Sequence, residues 1–372
     1  MKVPFIDLQA QYATIKDGIQ LAINEVLASQ DFILGKQVAE LEINIAHYCG
    51  IKRAIGVASG TDALLLSMMA LDIKQGDEVI TTPYTFFATV GSIVRLGAVP
   101  VFVDIDPKTF NIDNIRIEEK ITPRTRAIIP VHLFGQMADM GTIMELAKKY
   151  NIAIIEDAAQ AIGATYNGLA AGSMGDLGIL SFYPSKNLGA YGDAGMVLTN
   201  NEELAEKVSI LRVHGSKTKY YHTVVGINSR LDTLQAAILL VKLKHLDVWK
   251  QRRQEIALLY DQDLLDTPVI CPNVSEQNDH VYTHYVIRTK ERDALKSYLT
   301  EAGIGTAIYY PLPMHRQACF GYLNYRDTRM PEAERASKET LAIPLYPAMT
   351  EEQRKYVVEN IKKFFYLHPE LQ

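Results

Sequence analysis

Between residues 50 and 200 the chain alternates short β-branched runs with longer stretches of helical periodicity. Runs at 54–58, 78–82, 99–104, 127–132 and 153–156 read as strands, several of them apolar throughout. A strand with no polar face belongs in a sheet covered on both sides. Segments 61–71, 86–96 and 140–150 carry apolar residues at helical spacing between those runs. Strand and helix repeated in this way predict an α/β architecture with a mainly parallel sheet. Ligands of such sheets bind beyond the carboxyl ends of the strands, so residues 59–61, 84–87, 132–136 and 157–160 are the ones to watch.

From 178 to 199 the pattern changes to short strands around a turn-rich stretch containing Pro184, Gly189 and Gly192. Beyond it, 202–213 and 231–264 read as helical. A second unit follows, with strands at 284–288 and 306–309 and helices at 293–302 and 351–365. A length of 372 residues exceeds what one core usually supports, and the boundary is placed near residue 248. The expected organisation is therefore a large domain over 1–248 and a smaller C-terminal α+β domain over 249–372.

Composition narrows the function without naming it. Charged residues make up 22% and the formal net charge is -5, with no long basic block, which argues against nucleic acid as a partner. An anionic ligand must then be held by local cations and backbone N–H groups. Three widely spaced cysteines, Cys49, Cys271 and Cys319, suit neither a disulfide framework nor a zinc site. His132, His214 and His222 lack metal-ligand spacing, so no metal is expected. Without a signal-like N-terminus or an apolar run of spanning length, a soluble cytoplasmic protein is expected, with no membrane partner.

Four segments carry candidate chemistry. Lys186 lies in an apolar turn between Pro184 and Gly189, where desolvation would lower its pKa and free a nucleophilic amine; a solvated turn lysine is the plainer alternative. An apolar strand runs into Glu156 and Asp157, offering either a buried carboxylate for a protonated ring nitrogen or a cap for the next helix. Ser59-Gly60-Thr61 joins a strand to a helix, as an anion cradle or as a simple N-cap, and the Ser181 hydroxyl could join it. In 84–87 an aromatic could lie flat on a planar ring, while Phe86 or Phe87 is expected as a first buried helix position.

In this order, these segments resemble the DegT/DnrJ/EryC1/StrS sugar aminotransferases, and the resemblance covers essentially the whole chain. It runs from Pro4-Phe5-Ile6-Asp7-Leu8 through Ser59-Gly60-Thr61-Asp62-Ala63 and Glu156-Asp157-Ala158-Ala159-Gln160 to Ser181–Lys186. It continues through Asn228-Ser229-Arg230-Leu231-Asp232 to Tyr309-Tyr310-Pro311-Leu312-Pro313-Met314-His315. The resemblance implies a pyridoxal-phosphate-dependent transferase of fold type I, with a seven-stranded sheet flanked by helices. It implies Lys186 as the Schiff-base lysine, Asp157 at the pyridine nitrogen, Gln160 at the phenolic oxygen and Phe86 on the ring face. Gly60, Thr61 and Ser181 would hold the phosphate, joined by Asn228 from the second subunit of a homodimer.

The implied reaction is ping-pong, moving an amino group from L-glutamate through pyridoxamine phosphate to a keto group, C3, of a nucleotide-linked sugar. Such enzymes serve cell-surface polysaccharide, lipopolysaccharide or glycoconjugate synthesis. Arg230, Tyr309, Tyr310 and His315 stand where the family approaches the sugar. The stretch around Arg230 is similar to enzymes acting on a UDP-linked 3-keto-glucuronate, although Tyr309 stands where those relatives carry histidine. A deoxythymidine-diphosphate-linked 6-deoxy-keto sugar, aminated at C3 or C4, is the competing substrate. A dehydratase would carry histidine in place of Lys186, and a non-catalytic regulator is the alternative outside enzymes.

Overall fold

The computed structural model describes residues 1–325 and 328–369. Seven strands form the main sheet: β1 (Arg53–Val57), β2 (Glu78–Thr81), β3 (Val99–Phe102), β4 (Thr125–Ile128), β5 (Ala153–Asp157), β6 (Leu177–Ser181) and β7 (Gly195–Thr199). Their spatial order is β1-β7-β6-β5-β4-β2-β3. The ladders from β3 through β2, β4 and β5 to β6 are parallel, and β7 runs against both β6 and β1. The expected mainly parallel, helix-covered sheet is what the chain forms.

Alternation along each strand sends neighbours to opposite faces. Ile80, Ile128, Ile154, Leu180 and Met196 enter one core, together with residues of α2 (Lys36–Tyr48), α5 (Met140–Tyr150) and α7 (Thr233–Leu243). Val79, Ala127, Ile155, Ile179 and Val197 enter the other, under α3 (Gly60–Ala70), α4 (Phe87–Arg95) and α6 (Glu202–Leu211). Both faces are closed, which points to the sheet's rim as the place for a ligand.

Two expectations about the C-terminal half need correction. The helix expected over 231–264 is two helices, α7 and α8 (Leu246–Asp263), turning at Lys244 and His245. The turn lets α7 bury Ala236 and Leu239 in the sheet's core while α8 delivers Ile256 and Tyr260 to a second one. No glycine or proline marks it in the sequence. The strand expected at 306–309 reduces to one bridge, Ala307 to Ala342, because the Tyr309 carbonyl accepts from the Tyr84 hydroxyl (2.5 Å) rather than from a ladder.

The second core gathers β8 (Tyr285–Arg288), β9 (Thr340–Ile343), α9 (Arg292–Glu301) and α11 (Glu351–Leu367) around Tyr260, Leu295, Leu341 and Ile361. Val3 packs there too, bridged to Ile304, ahead of the long α1 (Leu8–Ser29). α10 (Pro331–Glu339) packs elsewhere, burying Ala333 and Ala336 in a cluster with Tyr84, Phe102 and Met314. Among the described residues no helix is long and apolar enough to cross a membrane.

Candidate active site

The segments that follow β1, β2, β4, β5 and β6 converge at one rim of the sheet. At the end of β5 the alternation separates two adjacent carboxylates. Glu156 points into the scaffold, where His132 Nε2 (2.8 Å) and the N–H groups of Gly172 (3.0 Å), Met174 (2.6 Å) and Gly175 (2.7 Å) donate to it. His132 Nδ1 accepts from the Ala138 N–H (3.1 Å), which leaves the ring proton on Nε2. Glu156 is thus spent on holding a loop.

Asp157 faces the other way. Its Oδ2 accepts from the Thr89 hydroxyl (2.8 Å), itself bonded to Thr85 (2.9 Å), and Oδ1 accepts from the Ala159 N–H (3.3 Å). Burial pushes its carboxyl above the usual range, opposed by Thr89, Ala159 and the charge of Lys186. A buried acid supported by hydroxyl and amide donors is ready for a cation brought by a ligand.

Lys186 projects from a turn in which its own N–H donates to the Tyr183 carbonyl (2.8 Å). Burial pushes its ammonium down to about 8, with the Asp157 charge working in the opposite direction. Among the described residues, neither Lys186 nor Asp157 enters a salt bridge with a side chain. The amine therefore becomes neutral at a lower pH than an ordinary lysine, with a substantial neutral fraction near pH 8.

The anion cradle is built from close approaches. Ser59 caps α3 by accepting from the Asp62 N–H (3.1 Å), and its extended backbone leaves Thr61 exposed at the helix start. A Cβ on Gly60 would lie 2.7 Å from the Ser181 Cβ, and one on Gly195 would lie 2.4 Å from the Ser59 carbonyl. Glycine at both positions lets Ser181, Ser59 and the first turn of α3 share one spot, at the positive end of a helix.

Around this spot Gln160 accepts from the Phe134 N–H (2.8 Å), which turns its amide NH2 towards the Tyr310 hydroxyl (3.0 Å). Phe86 caps α4 with its ring 57% exposed and 6.2 Å from that of Tyr310. Neither Phe86 nor Phe87 is a buried helix position, contrary to expectation. Ala88 and Val90 fill that role, and Phe87 stacks on Phe320 (5.4 Å, 8°).

The remaining candidates are placed less uniformly. Tyr309 packs against His284 (ring centroids 4.3 Å, tilted by 31°) beside Phe5. Arg230 is partly covered, with a buried Nε that has no protein partner. Asn228 is exposed on the segment bridged to Val213. His315 is enclosed, with Nε2 on Glu334 (3.0 Å) and its ring near Phe102 (6.3 Å), so it offers no open surface in this conformation.

Sequence reasoning passed over Thr89, Tyr183 and His284. Thr89 sits one helical turn beyond Thr85, a spacing that carries no signal until α4 is seen to point at Asp157. Tyr183, 55% exposed in the lysine's own turn, was legible as an aromatic next to a reactive amine. His284 meets Lys186 only through the fold, and burial together with the Lys186 charge pushes its imidazole well below the usual range.

These groups fit pyridoxal phosphate. The glycine-floored cradle suits its phosphate, Asp157 its ring nitrogen, Phe86 its ring face and Lys186 its aldehyde. Among the described residues no group of three or more acidic, histidine or cysteine side chains could hold a metal.

Residues 13–362 match the family described as the DegT/DnrJ/EryC1/StrS aminotransferases. The chain is 51% identical over 368 residues to the pleiotropic regulatory protein of Geobacillus stearothermophilus, covering 98% of this chain and 99% of that one. It is 46% identical over 364 residues to the dTDP-3-amino-3,6-dideoxy-alpha-D-galactopyranose transaminase of Aneurinibacillus thermoaerophilus (98% and 100%). Identity to the UDP-2-acetamido-2-deoxy-3-oxo-D-glucuronate aminotransferase of Pseudomonas aeruginosa is 43% over 345 residues (93% and 95%). The crystal structure of NtdA from Bacillus subtilis with its bound cofactor PMP superposes with a TM-score of 0.92 at 35% identity, covering 98% of this chain and 85% of that one.

Proposed function

Because the chain belongs to the DegT/DnrJ/EryC1/StrS aminotransferase family, it is a pyridoxal-phosphate-dependent sugar aminotransferase, and we propose that it transfers the amino group of L-glutamate to C3 of a nucleotide-linked 3-keto sugar. The observation that carries this reading is the meeting of a desolvated lysine and a buried aspartate without a salt-bridge partner beside a glycine-floored anion cradle. Two relatives named for 3-amino or 3-oxo sugars support C3.

When bound, pyridoxal phosphate supplies an electron sink that carries nitrogen between donor and acceptor. Asp157, fixed by Thr89 and Ala159, would hold the ring nitrogen's proton. In each half reaction Lys186 Nζ would move one proton, from the donor's α-carbon to the cofactor in the first and from the cofactor to the sugar carbon in the second. Phe86, exposed at the start of α4, would lie against one face of the ring and shield it from water. Donor and acceptor use the same residues in turn, which makes the kinetics ping-pong. Asn228, exposed on its segment, completes the phosphate site of a second copy in a homodimer.

For the acceptor, Arg230 favours a sugar carboxylate, hence a UDP-linked uronate over a dTDP-linked 6-deoxy sugar. Its buried, unpartnered Nε is the reason. The test offers glutamate and measures 2-oxoglutarate, then supplies 3-keto sugars of both kinds and identifies the amine by mass. Arg230→Met should raise KM for the uronate at least about tenfold and leave the 6-deoxy sugar unaffected. An equal effect on both acceptors removes the carboxylate assignment.

The name of the 51% identical relative favours a second reading, a regulatory protein that keeps the fold. Binding of pyridoxal phosphate with no 2-oxoglutarate released from any amino acid would bring that reading forward.

A further inference from the structure

Helix α7 carries a second buried lysine that the chemistry above does not use. Lys242 is 1% exposed, and its Nζ donates to the Gly189 carbonyl at 2.6 Å. The same Nζ lies 4.4 Å from the centroid of the Tyr191 ring. Burial alone pushes this ammonium down to about 8, with no acid opposing it. A buried charge without a counter-ion is costly, and leucine or methionine would fill the same space without that cost.

What the ammonium grips is the loop that carries Lys186. The N–H of Phe182 donates to Ala194 (2.9 Å) and that of Ala190 to Phe182 (2.8 Å), so the loop closes on itself with the Lys186 turn at its tip. Gly189 is pressed against that turn, since a Cβ there would lie 2.3 Å from the Pro184 carbonyl. Two helical turns before Lys242, Gln235 accepts from the Tyr191 N–H (2.8 Å). Helix α7 thus holds the loop at two neighbouring peptides, by a donor at Gly189 and an acceptor at Tyr191.

We propose that Lys242 is a positioning residue for Lys186, fixing through the Gly189 carbonyl the turn from which the reactive amine projects. It touches neither substrate nor cofactor in this role. Its loss should therefore change how Lys186 reacts rather than how well substrates bind. The inference rests on the family chemistry at Lys186 and is independent of which sugar is aminated.

Lys242→Met removes the donor and keeps the volume; Lys242→Gln keeps a shorter, uncharged donor and serves if the first variant does not fold. In the cofactor-free chain, hydrogen exchange of the peptide spanning 182–193 should quicken at least about tenfold while the sheet strands keep their protection. In the loaded enzyme, the pH midpoint of the visible band should shift. The rate of the glutamate half reaction should fall about tenfold or more, with KM within about twofold. The idea is overturned if loop exchange, midpoint and rate all stay at wild-type values. Uniform loss of protection with an unmoved midpoint also overturns it, by making Lys242 a packing residue only. Should the wild type itself not react with glutamate, the donor assignment fails, and loop exchange and midpoint still decide the role of Lys242.

Discussion

Two neighbouring carboxylates show what a single residue contributes here. Glu156 and Asp157 are alike in type and both buried, yet four donors satisfy one while the other, held by the Thr89 hydroxyl and the Ala159 N–H, has no cationic side chain bonded to it. Strand alternation alone separates their fates. Lys186 has a measurable signature of its own. Its ordinary value of 10.5 falls to about 8 in the folded chain. Between these values the unfolded chain holds a proton that the folded chain has released, so stability rises with pH there. Below about 8 both states are charged and the cost of burial is felt in full. Cofactor-free Lys186→Met should thus be more stable than wild type at pH 7, with the gap narrowing as pH climbs towards 10. Denaturant melts across that range would show it, and a constant gap would mean that the amine is not desolvated.

Among the elements, the turns rather than the helices and strands are specialised. Helix α3 begins on Ser59 in the ordinary way, but Gly60 next to it is pinned against Ser181 of a different strand. Gly60→Ala forces these two apart, at a cost of about 1–3 kcal/mol for an overpacked contact. Most of that should appear in the cradle, as a rise of about tenfold or more in Kd for pyridoxal phosphate. Titration of the visible band against cofactor, together with a thermal melt, would separate the two effects. An unchanged Kd would mean that the phosphate is held elsewhere. The same element logic explains the legibility of the fold. The strands and helices around the sheet were readable because both of its faces are closed and several of its strands are apolar throughout. The break between α7 and α8 was not, since no residue at Lys244 or His245 forbids a helix. Only the separation of two cores requires it.

For the whole molecule, the exposed Asn228 and the expected homodimer lead to a mixing experiment. Lys186→Ala and Asn228→Ala should each be inactive alone at limiting pyridoxal phosphate. In mixed dimers one site keeps both residues, so a 1:1 mixture should regain about one quarter of wild-type activity. No recovery after subunit exchange would place Asn228 in its own chain's site. The sequence by itself determined the alternation that builds the sheet, the glycines at its rim, and the lysine and aspartate as candidates, because local periodicity and steric freedom belong to single segments. Tertiary structure decided which of two acids stays without a salt-bridge partner, that His315 is closed off on Glu334, that Thr89 supports Asp157, and that a lysine on α7 reaches Gly189. Those outcomes depend on side chains from distant segments meeting in a low-dielectric interior, where burial and partners, not residue type, set charge and orientation.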